Sequence, residues 1–171
     1  CLVGSEMCIR DSPRLVQLIL NESAEVMRSK PGVIIVRHKL GHVGANAGID
    51  QSNIPQDKNL ALLLPENPTK SEDDIQKGLT KIFNKDISVI IADSMTRPFR
   101  SGITNFALSS SNLPSLLDLK GKKDIYGNIL KGTEVAIADE LAAAAGLLMG
   151  QSKESKPVIL LSLIHISEPT R

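Results

Sequence analysis

The sequence predicts a mixed α/β (α+β) domain, with a mixed sheet and flanking helices. Three segments carry apolar residues at helical spacing, and four short aliphatic runs bounded by turn residues lie between and after them. The composition agrees: of 171 residues, 42% are hydrophobic and 23% charged, which suits one soluble domain with a core of its own.

A first helix is predicted over residues 13–28, where Leu15, Leu18, Ile19, Val26 and Met27 recur at near-helical spacing behind Pro13, a residue that the first helical turn tolerates. Lys30-Pro31-Gly32 stops it. Residues 33–36 (Val-Ile-Ile-Val) read as a buried β-branched strand followed by Arg37, His38 and Lys39. Beyond it lies the loop of residues 44–53, GANAGIDQSN. Residues 60–64 are expected to form a second buried strand, closed by Pro65, with Asn67-Pro68 turning the chain into the next helix. Thr69 and Glu72 have the spacing of a capping box, and Ile75, Leu79, Ile82 and Phe83 make an apolar stripe opposite Asp73, Asp74 and Lys77.

Residues 87–92 (ISVIIA) form a third predicted strand, delivering Asp93 and Ser94 to its carboxyl end, where ligands bind in open α/β sheets. Residues 102–111 alternate imperfectly, as in a half-exposed strand, and residues 112–131 are expected to be a long loop of the kind that is commonly functional. A helix with an alanine-rich face is predicted over residues 133–149 and ends at Gly150. A polar loop over 151–156 leads to a last strand at 157–161.

Residues 1–12 and 162–171 resemble translated adapter sequence and are expected to be non-native. Both cysteines, Cys1 and Cys8, fall in that head, so residues 13–161 hold no thiol, and their 18 basic and 16 acidic residues leave a net charge of +2. Neither that charge nor the 2% aromatic content, with no Trp and only Tyr126 among tyrosines, suits nucleic acid. No apolar run approaches the roughly 20 residues that span a bilayer, and no signal-peptide pattern opens the chain. The expectation is a cytoplasmic protein with no membrane partner.

Several chemistries are excluded by pattern. There is no GxGxxG after a strand, no GxxxxGK[ST] and no GxSxG; Gly146 to Lys153 misses the P-loop spacing and starts inside a predicted helix. His38 and His42 lack an HExxH frame and a cysteine partner, so they read as polar loop residues rather than zinc ligands. What is left is two loop carboxylates, Asp50 and Asp93, each followed by hydroxyl or carboxamide groups: Ser52 and Asn53, then Ser94. Such oxygens suit magnesium or manganese holding phosphates, and Arg97 and Arg100 would supply fixed positive charge. The same residues also suit plain structure. Asp50 with Asn46 and Asn53 can form an Asx-rich turn, Asp93 a cap or turn, and the arginines a solvated face.

The stretches Pro13-Arg14-Leu15-Val16, ANAGIDQSN at 45–53, LLLPENP at 62–68, IADSMTRPFRSG at 91–102, DIYGN at 124–128 and ADELAAAAGLLMG at 138–150 occur in an order that resembles the coenzyme F420 gamma-glutamyl ligases. The resemblance covers nearly all of residues 13–161, which would make them a partial ligase domain with a mixed α/β fold that forms homodimers. It implies a GTP-dependent enzyme that joins L-glutamate to the deazaflavin precursor, coenzyme F420-0, through an acyl phosphate. The divalent metal would be manganese or magnesium, with potassium as a further cation. Asp50, Asp93, Ser94 and Gln151 would then be metal ligands, and Asn53, Gly150, Gln151, Ser152 and Lys153 would contact the nucleotide. Arg97 and Arg100 would neutralise charge in the reaction. An early nucleotide loop of the family has no counterpart before Pro13, so the chain is expected to be an internal fragment without ligase activity of its own. Two other readings stand beside this: a metal- or nucleotide-binding paralogue without activity, and the ligase part of a fusion with a flavin-type reductase domain.

Overall fold

The computed structural model describes residues 12–55 and 60–162; both predicted foreign ends lie almost wholly outside the described residues. The chain divides into two compact units. One runs to Glu66 and includes Met95–Ile103, and the other comprises Asn67–Ser94 and the chain from Thr104 onward.

In the first unit, helix α1 (Pro13–Glu22) leads directly into β1 (Ser23–Lys30), β2 (Val33–His38) and β3 (Val43–Ala45), an antiparallel sheet in the order β1-β2-β3. The helix predicted to reach residue 28 therefore stops six residues early. Ser23 is extended, and its hydroxyl donates to the Ile19 carbonyl, which satisfies part of the helix end. Pro31-Gly32, with Gly32 at φ 83°, has the residues of a type II turn and pairs Lys30 with Val33. Cross-strand pairing with β2 thus overrides the helical spacing of Val26 and Met27, both of which are exposed. The core is Ile19, Ile34, Val36 and Ala47, with Leu15, Val16 and Ile49 packed on it. Alternation places Ile34 and Val36 on its inner face.

The strand predicted at residues 60–64 is absent. Leu62 makes a single bridge, exchanging backbone hydrogen bonds with Asp50 (3.1 and 2.8 Å), and Leu60, Leu62 and Leu63 are exposed. A run of leucines carries no alternation of its own, so only a paired neighbour could have made it a strand.

In the second unit, α2 (Pro68–Phe83) starts one residue before the expected capping box. Asn67 is the cap, its Oδ1 accepting from Lys70 N at 2.9 Å, with Pro68 at the first helical position. Its apolar stripe faces out: Ile82 is 73% and Phe83 59% exposed, while Glu72 is buried with Oε2 lacking a hydrogen-bond partner among the described residues.

Strands β4 (Val89–Arg97) and β5 (Arg100–Ser111) pair as a ribbon across Pro98-Phe99. The ribbon extends the predicted third strand by five residues. Asp93 consequently sits within a strand, not beyond its carboxyl end.

The predicted long loop is a curled hairpin. Strands β6 (Leu117–Asp118) and β7 (Glu134–Val135) pair antiparallel. The pairing runs on through Leu119 N to Thr133 O, Leu130 N to Lys122 O and a Lys123–Ile129 bridge, and closes at Asp124–Asn128. Glycines and lysines conceal it in the sequence because the register is carried by backbone groups. Helix α3 (Ile137–Met149) buries Ala138, Ala142 and Ala145 along one face. Residues 157–161 form no strand among the described residues.

The α+β class holds. Among the described residues its strands are spread over three small sheets, where one mixed sheet was expected.

Candidate functional site

The loop that follows β3 is built on unusual backbone. Asn46, Ala47 and Gly48 all have positive φ (50°, 54° and 66°), and Ala47 is buried in the core. Two things hold it there. The Asn46 Oδ1 accepts from Ile34 N at 2.8 Å, and the Leu64 side chain packs over Gly48, where an added Cβ would lie 2.9 Å from Leu64 Cδ1. Such strain persists only where the surroundings over-determine it.

Asp50 follows this turn and is exposed. Its Oδ1 accepts from Ser52 N at 2.7 Å and its Oδ2 from Ser52 Oγ at 2.6 Å. The Asx turn weighed from sequence is thus formed, and it aims the carboxylate rather than concealing it, because each oxygen keeps a further lone pair. Asn53, three residues on, is exposed at φ 53°.

Arg97 and Arg100 flank the ribbon turn in the same unit. The Arg97 Nε is buried and has no hydrogen-bond partner among the described residues. A buried guanidinium donor without an acceptor is costly, and an anion would satisfy it. Arg100 is exposed.

Asp93 and Ser94 are successive residues of β4 and leave opposite faces of the ribbon, Asp93 half-buried and Ser94 exposed. Asp93, Met95 and Arg97 share the shielded face.

Residues 150–153 cap α3. Gly150 has φ 75°, and a Cβ there would collide with the Glu154 side chain. Glu154 folds back so that its Oε2 accepts from Ser152 N at 2.8 Å, and this backbone bond holds the carboxyl below the usual range. A phosphate seeking the Ser152 N–H would have to displace that carboxylate. Ser152 and Lys153 are exposed. Gln151 is not loose: its Nε2 donates to the Oδ1 of buried Asn105 on β5 at 2.9 Å.

The structure therefore groups Asp50, Ser52 and Asn53 on one loop and ties Gln151 to β5. Asp93 with Ser94, and residues 150–153, belong to the second unit. Among the described residues no three His, Cys, Asp or Glu side chains converge as a metal cage. The expected donors are all oxygens, and only two of them are carboxylates. That set fits a hard cation that keeps most of its waters, and does not fit zinc.

Of the two histidines, His42 lies in the β2–β3 turn as expected, whereas His38 departs from the loop position expected of it. His38 is the last residue of β2 and is buried, its Nδ1 accepting from Leu40 N at 2.9 Å. Its ring stacks on His42 with centroids 5.1 Å apart, and Nε2 lies 3.8 Å from Glu22 Oε2. They close the β2–β3 turn. Asn105 was missed altogether. Its signal was Gly146, a lone glycine within an alanine helix, which usually has a packing reason.

The chain belongs to the F420-0:gamma-glutamyl ligase family, whose match runs over residues 5–162. It is 47% identical over 149 residues to the coenzyme F420:L-glutamate ligase of Methanococcus maripaludis, covering 87% of this chain and 59% of that protein. The corresponding ligase of Methanocaldococcus jannaschii is 44% identical over the same length. That of Archaeoglobus fulgidus is 36% identical over 152 residues, covering 89% of this chain and 60% of the relative. The chain thus spans about three-fifths of the length of the curated relatives it matches.

Proposed function

We propose that this protein forms an amide bond between L-glutamate and coenzyme F420-0, using GTP and a divalent cation. The observation that carries this reading is the match of residues 5–162 to a ligase family, with relatives that bear the name coenzyme F420:L-glutamate ligase.

The proposed chemistry needs no general base for its first step. A carboxylate of the acceptor is already ionised at neutral pH, so it attacks the γ-phosphorus of GTP directly, forming an acyl phosphate and releasing GDP. The neutral amine of glutamate then attacks the acyl carbon, phosphate leaves and takes up the proton that the nitrogen loses, and an amide remains. Both steps bring anions together, so the protein's task is to offset charge and align the reactants. Asp50, Asp93, Ser94 and the Gln151 oxygen would hold manganese or magnesium, and potassium is a further cation these oxygens suit. The metal, when bound, would screen the phosphate oxygens. Among the described residues the buried Arg97 Nε has no acceptor, in keeping with an anionic ligand. Asn53 and residues 150–153 would contact the nucleotide. A homodimer in the cytoplasm is the proposed setting.

The test is a chimera in which this chain replaces the corresponding 149 residues of the Methanococcus maripaludis relative. It should incorporate labelled glutamate into F420-0 with GTP and manganese, and Asp50→Ala and Asp93→Ala should each lower the rate about 100-fold or more. A folded chimera without turnover beside an active parent would overturn the activity. Wild-type rates in both variants would overturn the two-carboxylate site.

A further inference from the structure

We propose that Asn105 is a positioning residue for Gln151, turning its carboxamide so that the oxygen faces outward as a ligand for a hard cation. The cation rests on the reading above; the orientation of the carboxamide does not.

Gln151 is the first residue past the glycine that ends α3, and it is exposed. A glutamine in that setting would sample many rotamers and present nitrogen as often as oxygen. Asn105 removes both freedoms. It is only 9% exposed, and its two amide atoms have different partners: Nδ2 points at the Met149 sulfur, 3.8 Å away, and Oδ1 takes the Gln151 Nε2 at 2.9 Å. A thioether sulfur can only accept. The Asn105 nitrogen must therefore face Met149 and its oxygen Gln151, which obliges Gln151 to offer its NH₂ inward. Oε1 then lies on the far side of the carboxamide. The distinction matters because an amide nitrogen has no lone pair to give a metal ion, whereas a carboxamide oxygen is an ordinary ligand for magnesium, calcium or manganese.

The seat of Asn105 is itself built. A Cβ at Gly146 would come within 2.7 Å of Asn105 Cγ and 2.9 Å of both its amide atoms, so only glycine at this helical position admits the side chain. Two residues along β5, the Ala107 N–H donates to Asp139 Oδ1 at 2.8 Å, near the start of α3. The helix is thus clamped to the strand near both of its ends. Its last turn delivers Gln151 in one orientation.

The experiment is side-chain amide NMR on the ¹⁵N-labelled chain, with manganese added in steps. In the unaltered chain the Gln151 NH₂ protons should exchange with solvent slowly, and manganese should broaden them. Asn105→Leu, close in size but without either polar atom, should speed that exchange and raise the manganese concentration needed for broadening, each by about 5-fold or more. Asn105→Asp keeps the acceptor and should retain both properties. Gly146→Ala leaves every polar group in place yet evicts Asn105, and should reproduce the leucine variant even if that variant folds poorly. Unchanged exchange in Asn105→Leu and Gly146→Ala would overturn the positioning role. Slow exchange in the unaltered chain without manganese broadening would overturn the ligand role, while leaving the ligase reading to the chimera assay.

Discussion

Gly48 shows how one residue links backbone strain to the loop that bears Asp50. It ends three residues with positive φ, and its missing Cβ makes room for Leu64. Gly48→Ala should cost about 1–3 kcal/mol, read as a lower urea midpoint at unchanged slope. His38 offers a pH test. Burial lowers its pKa from the ordinary 6.5; Glu22 opposes that and Lys39 adds to it, while burial and His38 lower that of His42. The neutral rings are therefore favoured by folding. Their contribution is complete above pH 6.5 and is lost as pH falls from 6.5 through the folded values. The geometry agrees, since a protonated Nδ1 could no longer accept from Leu40 N. Urea midpoints should fall between pH 7.5 and pH 5, and His38→Gln should flatten that slope; a slope unchanged by the substitution would remove His38 from the account. From sequence, both histidines looked like loop residues, because stacking and burial depend on where the turn brings His42 back.

Among the elements, the hairpin between β6 and β7 departs furthest from expectation. Asp124 organises its tip: Oδ1 accepts from Tyr126 N and Asn128 N, and Oδ2 from Asn128 Nδ2. These bonds, that from the Asn128 side chain first, hold its carboxyl below the ordinary value. The contribution is present above that ordinary value and is lost as pH falls through the lowered one. Asp124→Ala should speed amide exchange at Tyr126 and Asn128 without moving the global melting temperature; protection unchanged in the variant would show that the strand pairing alone holds the tip. The stretch DIYGN thus divides by role, with Asp124, Gly127 and Asn128 forming the turn while Ile125 (90% exposed) and Tyr126 (84%) project from it. Helix α2 was more legible, because Asn-Pro followed by a periodic stripe marks a helix start wherever it occurs. Which way that stripe points is not a local property.

On the scale of the whole chain, large apolar side chains remain in water: Ile82 and Phe83 on α2, Phe99 at the ribbon turn, Ile125 and Tyr126 at the hairpin tip. Adjacent exposed pairs such as Ile82-Phe83 and Ile125-Tyr126 favour association. Sedimentation should show an average mass that rises with concentration above the 18.4 kDa of the chain, and Ile82→Lys should lessen that rise. A single species of 18.4 kDa at every concentration would contradict it.

Local signals in the sequence set the α+β class, helices α2 and α3, strand β2 and the family. These are set by periodicity, by capping and turn residues, and by motif order, all of them local. Only the tertiary structure decided that residues 23–30 join a sheet, that Leu62 pairs with Asp50 through a single bridge, and that residues 112–131 curl into a hairpin. It also decided that Asn105 holds Gln151. Each of these depends on a backbone or side-chain partner many residues away, and a hydrogen bond between distant residues leaves no period in the sequence on either side.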